Sequence, residues 1–369
     1  MDFFKEGAFG CVFRPGMNCL GEKENMKYIT KIQMDEETSN NEIAIGKFME
    51  TVIKKEVPTY EDMFAPIIES CKLSLGKIEN ETIKKCEIVK KNATKNFVTN
   101  KIRYVGKYTL KSFLEIEYRK NSVNFYKHFF QSHLYILNSV SVLSKYNIIH
   151  YDLKQNNISI DDNKRMPVII DFGLSFRYKE DLVTDFDYEQ NFYLYYDKYP
   201  PWCLDIILIS FIVQEFKKVE DLHKTIRANP NKKGKSISKK RRGTGIWKTA
   251  IISTEQLMEI VDHYFKYNYV ILEIHSVNES KKKWEDFINK EFHEKTGEYI
   301  VRFLMKSWDT WDNYSICVIY FSLARSFFPK AHMNYQQIMI DNILATPLER
   351  DICASTTLKI KDYVQTLTL

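Results

Sequence analysis

Asp152, Lys154 and Asn157 set a carboxylate, an ammonium and a side-chain amide at i, i+2 and i+5 of one segment, His150-Tyr151-Asp152-Leu153-Lys154-Gln155-Asn156-Asn157. Asp171-Phe172-Gly173 begins fourteen residues after that segment ends and adds a second carboxylate that can bind a metal. Together these groups read as the two halves of a phosphoryl-transfer site. Something must bring the halves together. Ile158-Ser159-Ile160-Asp161-Asp162 and Pro167-Val168-Ile169-Ile170 read as two short strands joined by an Asp-Asn turn, a hairpin that would hold both loops at one end. Singly, Asp152 and Asp171 could be turn aspartates and His150 a core histidine. The joint match in residue type, with a hairpin in the right place, is hard to reconcile with that ordinary reading.

The spacing is that of the H-R-D-x-x-x-x-N and D-F-G motifs. On these residues the chain resembles the eukaryotic-type protein kinase superfamily. Lys154, two residues after the expected base, is similar to the serine/threonine side. Tyrosine kinases usually place an arginine elsewhere in this loop, and small-molecule kinases of the aminoglycoside and choline type usually lack such a lysine. The resemblance implies Asp152 as catalytic base, Lys154 on the γ-phosphate, and Asn157 and Asp171 as Mg²⁺ ligands.

Upstream, Glu6-Gly7-Ala8-Phe9-Gly10-Cys11-Val12-Phe13 resembles the second part of the kinase glycine-rich loop. Gly7 and Gly10 would let backbone N–H groups approach phosphates, and Val12 would cap the adenine. The loop's first glycine is missing: its place falls on Lys5, so the first strand must be very short. Tyr28-Ile29-Thr30-Lys31 matches the strand carrying the nucleotide-contacting lysine, with Ile29 in place of the usual alanine. Glu42, in Asn41-Glu42-Ile43-Ala44-Ile45, is the expected partner of Lys31, and Glu50 is the alternative. Lys31 and Glu42 are only eleven residues apart, which implies a helix that has lost its first turn. Ile102-Arg103-Tyr104-Val105-Gly106 resembles the hinge, with adenine on the backbone near Arg103 and Val105 and Ile102 behind it as gatekeeper.

Phe125 to Lys145 carries apolar residues at helical spacing and reads as a long buried helix leading into the catalytic loop. Trp311-Asp312-Asn313-Tyr314-Ser315 matches the start of the kinase domain's central buried helix better than Asp205-Ile206-Ile207-Leu208. Asp205 then stands where the activation segment ends, and Arg350, in a segment resembling D-P-x-x-R, is its expected ion-pair partner. This register leaves an insertion at about 206–305. A capping box at Ser253-Thr254-Glu255-Gln256 would open a helix to about Phe265, and Ser280 to Glu294 reads as another. A large insertion here resembles kinases of large nucleocytoplasmic DNA viruses.

Composition bounds the rest. At 369 residues with 44% apolar content, the chain suits one α+β, two-lobed domain. The expected divisions are a β-rich lobe at 1–101 with one main helix, a hinge at 102–106 and a mainly helical lobe at 107–369. The longest apolar stretches are shorter than a membrane-spanning helix needs, and Met1-Asp2-Phe3-Phe4-Lys5 is no secretory signal, so no membrane is expected. Seven cysteines at 11, 19, 71, 86, 203, 317 and 353, without C-x-x-C spacing, read as reduced thiols in a cytosol-like compartment. The expected location is cytoplasmic: the host cytoplasm or virion if the protein is viral. The net charge of +6 is concentrated in a basic loop at 229–245, richest from Lys232 to Arg242. That loop is either a solvated connection or a docking site for an acidic partner or nucleic acid.

The expectation is an ATP- and Mg²⁺-dependent kinase of protein serine and threonine hydroxyls. Tyr151 replaces the arginine that would face a phosphorylated activation loop, so activity without phosphorylation at Thr184 or Tyr188 is expected. A pseudokinase scaffold acting through the basic insertion is the rival from another class. The missing loop glycine, Ile29, Ser159 at the usually apolar adenine floor and the short Lys31-to-Glu42 spacing favour that rival. A small-molecule kinase is the third reading.

Overall fold

The computed structural model describes residues 2–7, 10–16, 18, 22, 25–73, 85–92, 94–120, 124–179, 186–214, 245–275 and 277–367. The basic segment Lys232–Arg242, Thr184 and the loop tip Ala8-Phe9 lie outside them. The chain is α+β, with a small β region and a mainly helical remainder. It falls into two compact units, Met1–Tyr178 with Val364–Leu369, and Lys179–Tyr363.

The first unit contains a five-stranded antiparallel sheet in the order β1-β2-β3-β6-β5. Its strands are β1 (Asp2–Gly7), β2 (Gly10–Arg14), β3 (Tyr28–Met34), β5 (Ile67–Lys72) and β6 (Phe97–Arg103). Strand β4 (Phe64–Ala65) belongs to a second sheet. Gly7 pairs with Gly10 at the β1–β2 turn, and a side chain at Gly10 would run into the Ile32 carbonyl. Across β3 and β6, Ile29 faces Ile102 and Lys31 faces Asn100. The two-residue period therefore puts Ile29, Lys31, Gln33, Asn100 and Ile102 on one face. The other face carries Cys11, Phe13, Ile32 and Phe97, packed with Cys86 and Val89 into an apolar core.

Over the polar face lies α1 (Glu37–Phe48). It starts at a capping box in which the Glu36 N–H donates to Ser39 Oγ (3.0 Å). It continues through a π-helical turn, Met49–Ile53, and a last turn, Lys54–Glu56. Gly46 sets how closely α1 seats, because a Cβ there would clash with the Ile67 carbonyl on β5.

The rest of the first unit is the frame for the two loops. The helix Phe125–Lys145 buries Phe129, Phe130, His133, Leu137, Val140 and Leu143. It leads to β8 (Ile148–Ile149), then to the hairpin of β9 (Ile158–Ile160) and β10 (Pro167–Ile170), which is antiparallel. Asp161 closes the turn by accepting from the Asn163 and Lys164 amides at 2.9 and 2.8 Å. Strand β7 (Tyr108–Thr109) joins β9, β4 runs parallel to β10, and β11 (Phe176–Arg177) returns to pair with β8.

The second unit is helical. Its Trp311–Phe327 helix is buried almost throughout, Asp312 included, and the helix at 204–214 is nearly as enclosed. Ser253 caps the helix Thr254–Tyr267, accepting from the Gln256 amide at 3.3 Å. The side chain bonded to Ser253 is Glu255, at 2.6 Å, rather than the third-position Gln256 of a full capping box. After a single turn at Tyr269–Leu272, a helix runs Val277–Phe292, starting and ending earlier than the Ser280 to Glu294 expected. No helix among the described residues is long and apolar enough to cross a membrane.

The cysteine expectation needs correction. Cys11 and Cys86 form a disulfide, and Cys71 is disulfide-bonded as well. Cys203, Cys317 and Cys353 are free and buried. Cys11 and Cys86 stand 75 residues apart, so no local spacing announces the pair; the fold brings them together in the sheet's apolar core. With cysteines in disulfides, the cysteine content does not point to a reducing, cytosol-like compartment.

Candidate active site

Lys31 projects from the middle of β3, where the strand's alternation points it toward α1. Its Nζ lies 3.0 Å from both carboxylate oxygens of Glu42 and 3.0 Å from Asp171 Oδ1. Glu42 sits in the second turn of α1, so the short spacing from β3 is accommodated by a helix that begins just before it. Glu50, the alternative, is engaged elsewhere, with Lys54 (3.0 Å) and the Tyr60 hydroxyl (3.1 Å).

Exposure separates the members of this cluster. The side chains of Lys31 and Glu42 are 11% and 2% exposed, and that of Asp171 is 41% exposed. Burial opposes the charge on Lys31, but Glu42 and Asp171 outweigh it and hold the ammonium above the ordinary lysine range. Burial likewise pushes the Asp171 carboxyl up, and Lys31 more than cancels this, leaving it below its usual value. Lys31 and Asp171 are therefore both charged near neutral pH.

The 150–157 loop forms a second cluster. Lys154 Nζ donates to Asp152 Oδ2 at 2.7 Å and to Oδ1 at 3.1 Å. Asn157 Nδ2 donates to Asp152 Oδ2 and to its backbone carbonyl, both at 2.9 Å. His150 anchors the loop from beneath: Nε2 donates to the Ile170 carbonyl (3.2 Å), leaving Nδ1 to accept the Asp152 N–H (3.4 Å). Those bonds require the neutral tautomer with hydrogen on Nε2. Phe172 packs on the His150 ring at 5.0 Å between centroids, and Ser175 Oγ donates to the His150 carbonyl at 3.1 Å. The two loops predicted to converge are thus tied through His150, at one end of the β9–β10 hairpin.

Tyr151 and Asp171 both have left-handed backbones, with φ of 69° and 64°. For residues with a Cβ this costs of order 1–3 kcal/mol each and persists where the surroundings impose it, typically at functional sites. Tyr151 is buried with its ring edge on Phe176, 5.3 Å between centroids, so an aromatic contact fills the place expected of an arginine.

The oxygen donors left over fit a hard cation. Asp171 uses Oδ1 on Lys31, and Asn157 uses its Nδ2. Asp171 Oδ2 and Asn157 Oδ1 have no hydrogen-bond partner among the described residues. A carboxylate and an amide oxygen, completed by water and phosphate oxygens, form the donor set Mg²⁺ takes.

At 102–106, Ile102 packs with Ala65, Val105, Val168 and Ile170. The Val105 carbonyl accepts from the Asp162 amide at 3.3 Å. The Arg103 side chain turns to the Glu61 and Phe64 carbonyls. Ser159 is buried with its hydroxyl 3.4 Å from the Gly106 and Tyr108 carbonyls, which satisfies a polar group at a position expected to be apolar. Val12 faces Lys31 across the β2–β3 ladder.

In the second unit, Arg350 grips Asp205 with two bonds, Nη1 to Oδ2 at 3.0 Å and Nη2 to Oδ1 at 2.9 Å. Ser307 (2.8 Å) and the Trp311 indole N–H (3.2 Å) complete the shell.

Gln33, Asn100, Asn41 and Ser175 were missed in the sequence. Asn41 Nδ2 donates to the Ser175 carbonyl at 2.6 Å, fastening α1 to the segment after Gly173. For Gln33, the only signal was its position two residues after Lys31, on the same strand face. No family model matches the sequence, and no curated protein matches it.

Proposed function

We propose that the chain is a protein kinase that transfers the γ-phosphate of ATP to serine or threonine hydroxyls, with Mg²⁺ as cofactor. The observation that carries this reading is the three-way contact of Lys31 with Glu42 and Asp171, next to a loop that orients Asp152 through Lys154 and Asn157. The resemblance assigns these residue types to these roles, and the contacts among them support that reading.

In the proposed reaction, the substrate hydroxyl oxygen bonds to the γ-phosphorus as the bond from that phosphorus to the β,γ-bridging oxygen breaks, and ADP leaves. The hydroxyl proton passes to the Asp152 carboxylate. Lys154 offsets charge on the transferring group. Lys31, held in place by Glu42, exchanges its contact with Asp171 for the α- and β-phosphates; Asp171 and the Asn157 amide oxygen would hold the metal. Bound Mg²⁺ would neutralise phosphate charge. The chain thus contributes position and electrostatics rather than a covalent intermediate. The buried Tyr151, without a cation to meet a phosphate, supports activity that needs no activation-segment phosphorylation.

Transfer of labelled γ-phosphate from Mg-ATP to the protein itself and to a generic basic Ser/Thr substrate, wild type beside Asp152→Asn, tests the proposal. Label on serine or threonine that disappears in the variant is expected. Absence of label from folded wild type at millimolar ATP would overturn it in favour of the scaffold reading. Label on small molecules alone would favour the third.

A further inference from the structure

Behind the Lys31–Glu42 pair runs a chain of side-chain amides with a fixed direction. Gln33 Nε2 donates to Glu42 Oε2 at 2.9 Å, and Asn100 Nδ2 donates to Gln33 Oε1 at 2.5 Å. Gln33, Asn100 and Glu42 are all buried, at 4%, 0% and 2% exposure. An ionised carboxylate can only accept, so Gln33 must turn its NH₂ to Glu42 and its carbonyl to Asn100, which must answer with its own NH₂. Every flip is dictated by the charge at the end.

We infer that Gln33 and Asn100 form a positioning relay that holds the Glu42 carboxylate against Lys31; as a statement about catalysis, this rests on the kinase reading above. Two buried amides under a sheet are costly unless fully bonded. Here Asn100 Oδ1 has no hydrogen-bond partner, so the arrangement does not maximise stability. What it achieves is geometric. Lys31 already draws Glu42 from one side, and a carboxylate held by a single flexible ammonium can rotate and swing with it. A rigid donor on β3 itself, two residues along the same strand face and backed by the facing strand β6, fixes the second oxygen to the sheet. Glu42 then stays in place when Lys31 turns from Asp171 toward phosphates. A helix that starts only at Glu37 has little length before Glu42 to be fastened by, and the relay supplies the missing constraint.

The test uses the full chain and isosteric changes. Asn100→Asp puts an acceptor beside Gln33, which then reverses its amide and presents a carbonyl to Glu42. Gln33→Glu removes the donor outright, and Gln33→Leu removes both polar ends. Each is expected to lower kcat about tenfold, the worth of one hydrogen bond to a charged group, with KM for the peptide substrate within twofold. The double variant Gln33→Leu/Asn100→Leu should lose no more than Gln33→Leu alone, because a relay fails as a unit. Retention of kcat within twofold in folded Gln33→Leu and Asn100→Asp would overturn the inference, as would additive losses in the double variant.

A second measurement does not depend on turnover. The Gln33 side-chain NH₂ of the wild type should show slow hydrogen exchange by NMR, and fast exchange in Asn100→Asp. Fast exchange in the wild type would overturn the relay whatever the activity. Slow exchange in a wild type that transfers no phosphate would uphold the geometric relay while removing the kinase reading and the catalytic role with it.

Discussion

Two buried clusters of opposite charge, one in each unit, are built from the same chemistry and close differently. Asp205 and Arg350 are 0% and 1% exposed, bidentate, and enclosed by Ser307 and Trp311. Both carboxylate oxygens of Asp205 are engaged and shielded from solvent. Lys31 is divided between Glu42, at 2% exposure, and Asp171, at 41%. One arm is anchored and the other faces outward with an oxygen to spare. A complete ion pair holds a fold, whereas an incomplete one can trade a partner for a ligand. Desolvation explains why: a fully buried charge that loses its partner has no water to turn to, while a half-exposed one does.

That contrast sets the mutational expectations. Asp171→Asn should reduce kcat/KM on the order of 10²–10³-fold or more, while the unfolding free energy shifts by about 1 kcal/mol or less, since Lys31 keeps Glu42 and the Asp171 side chain is 41% exposed. Arg350→Ala should do the reverse in kind, destabilising by about 3–5 kcal/mol through an uncompensated buried Asp205. Denaturant unfolding followed alongside phosphate transfer checks both; equal stability losses in the two variants would erase the distinction.

His133 sharpens the picture with a buried group that carries no charge. Burial lowers its pKa from 6.5 to about 3. Between those values the unfolded chain binds a proton that the folded chain refuses, so stability is intact above about pH 6.5 and falls as the pH drops toward 3. At pH 5 the loss should be about 2 kcal/mol. His133→Leu should flatten that part of a chemical-denaturation profile; an unchanged slope would show that other groups dominate. The smallest expected effect is none at all: phosphatase treatment should leave phosphate transfer unchanged. Tyr188 is buried against Phe192 and Trp247, and Tyr151 offers no cation to a phosphate. Activity restored only by phosphorylating Thr184 or Tyr188 would reverse that expectation.

Much of the candidate site was legible in the residues. Asp152, Lys154 and Asn157 converge because their spacing is local, and Asp171 joins them because the β9–β10 hairpin between the loops is itself written in apolar runs and an Asp-Asn turn. The Asp205–Arg350 pair could be anticipated across 145 residues because each end sits in a recognisable segment. Glu42 was preferred to Glu50 on its local pattern, and the two diverge in the structure as that pattern suggested.

What the chain's linear order determined, then, is whatever short-range chemistry can specify: loop spacing, hairpin register, helix faces and caps. What only the tertiary structure decided is pairing across strands and across distance. The Cys11–Cys86 disulfide joins residues with no shared motif, brought together because β2 and the segment before Val89 cover the same apolar face. The Gln33–Asn100 relay exists because β6 happens to place Asn100 opposite Lys31 and diagonal to Gln33, a register set by the whole antiparallel ladder. A side chain's type states what it can bond to; which partner it meets depends on how many strands fold back before it, and no local pattern carries that information.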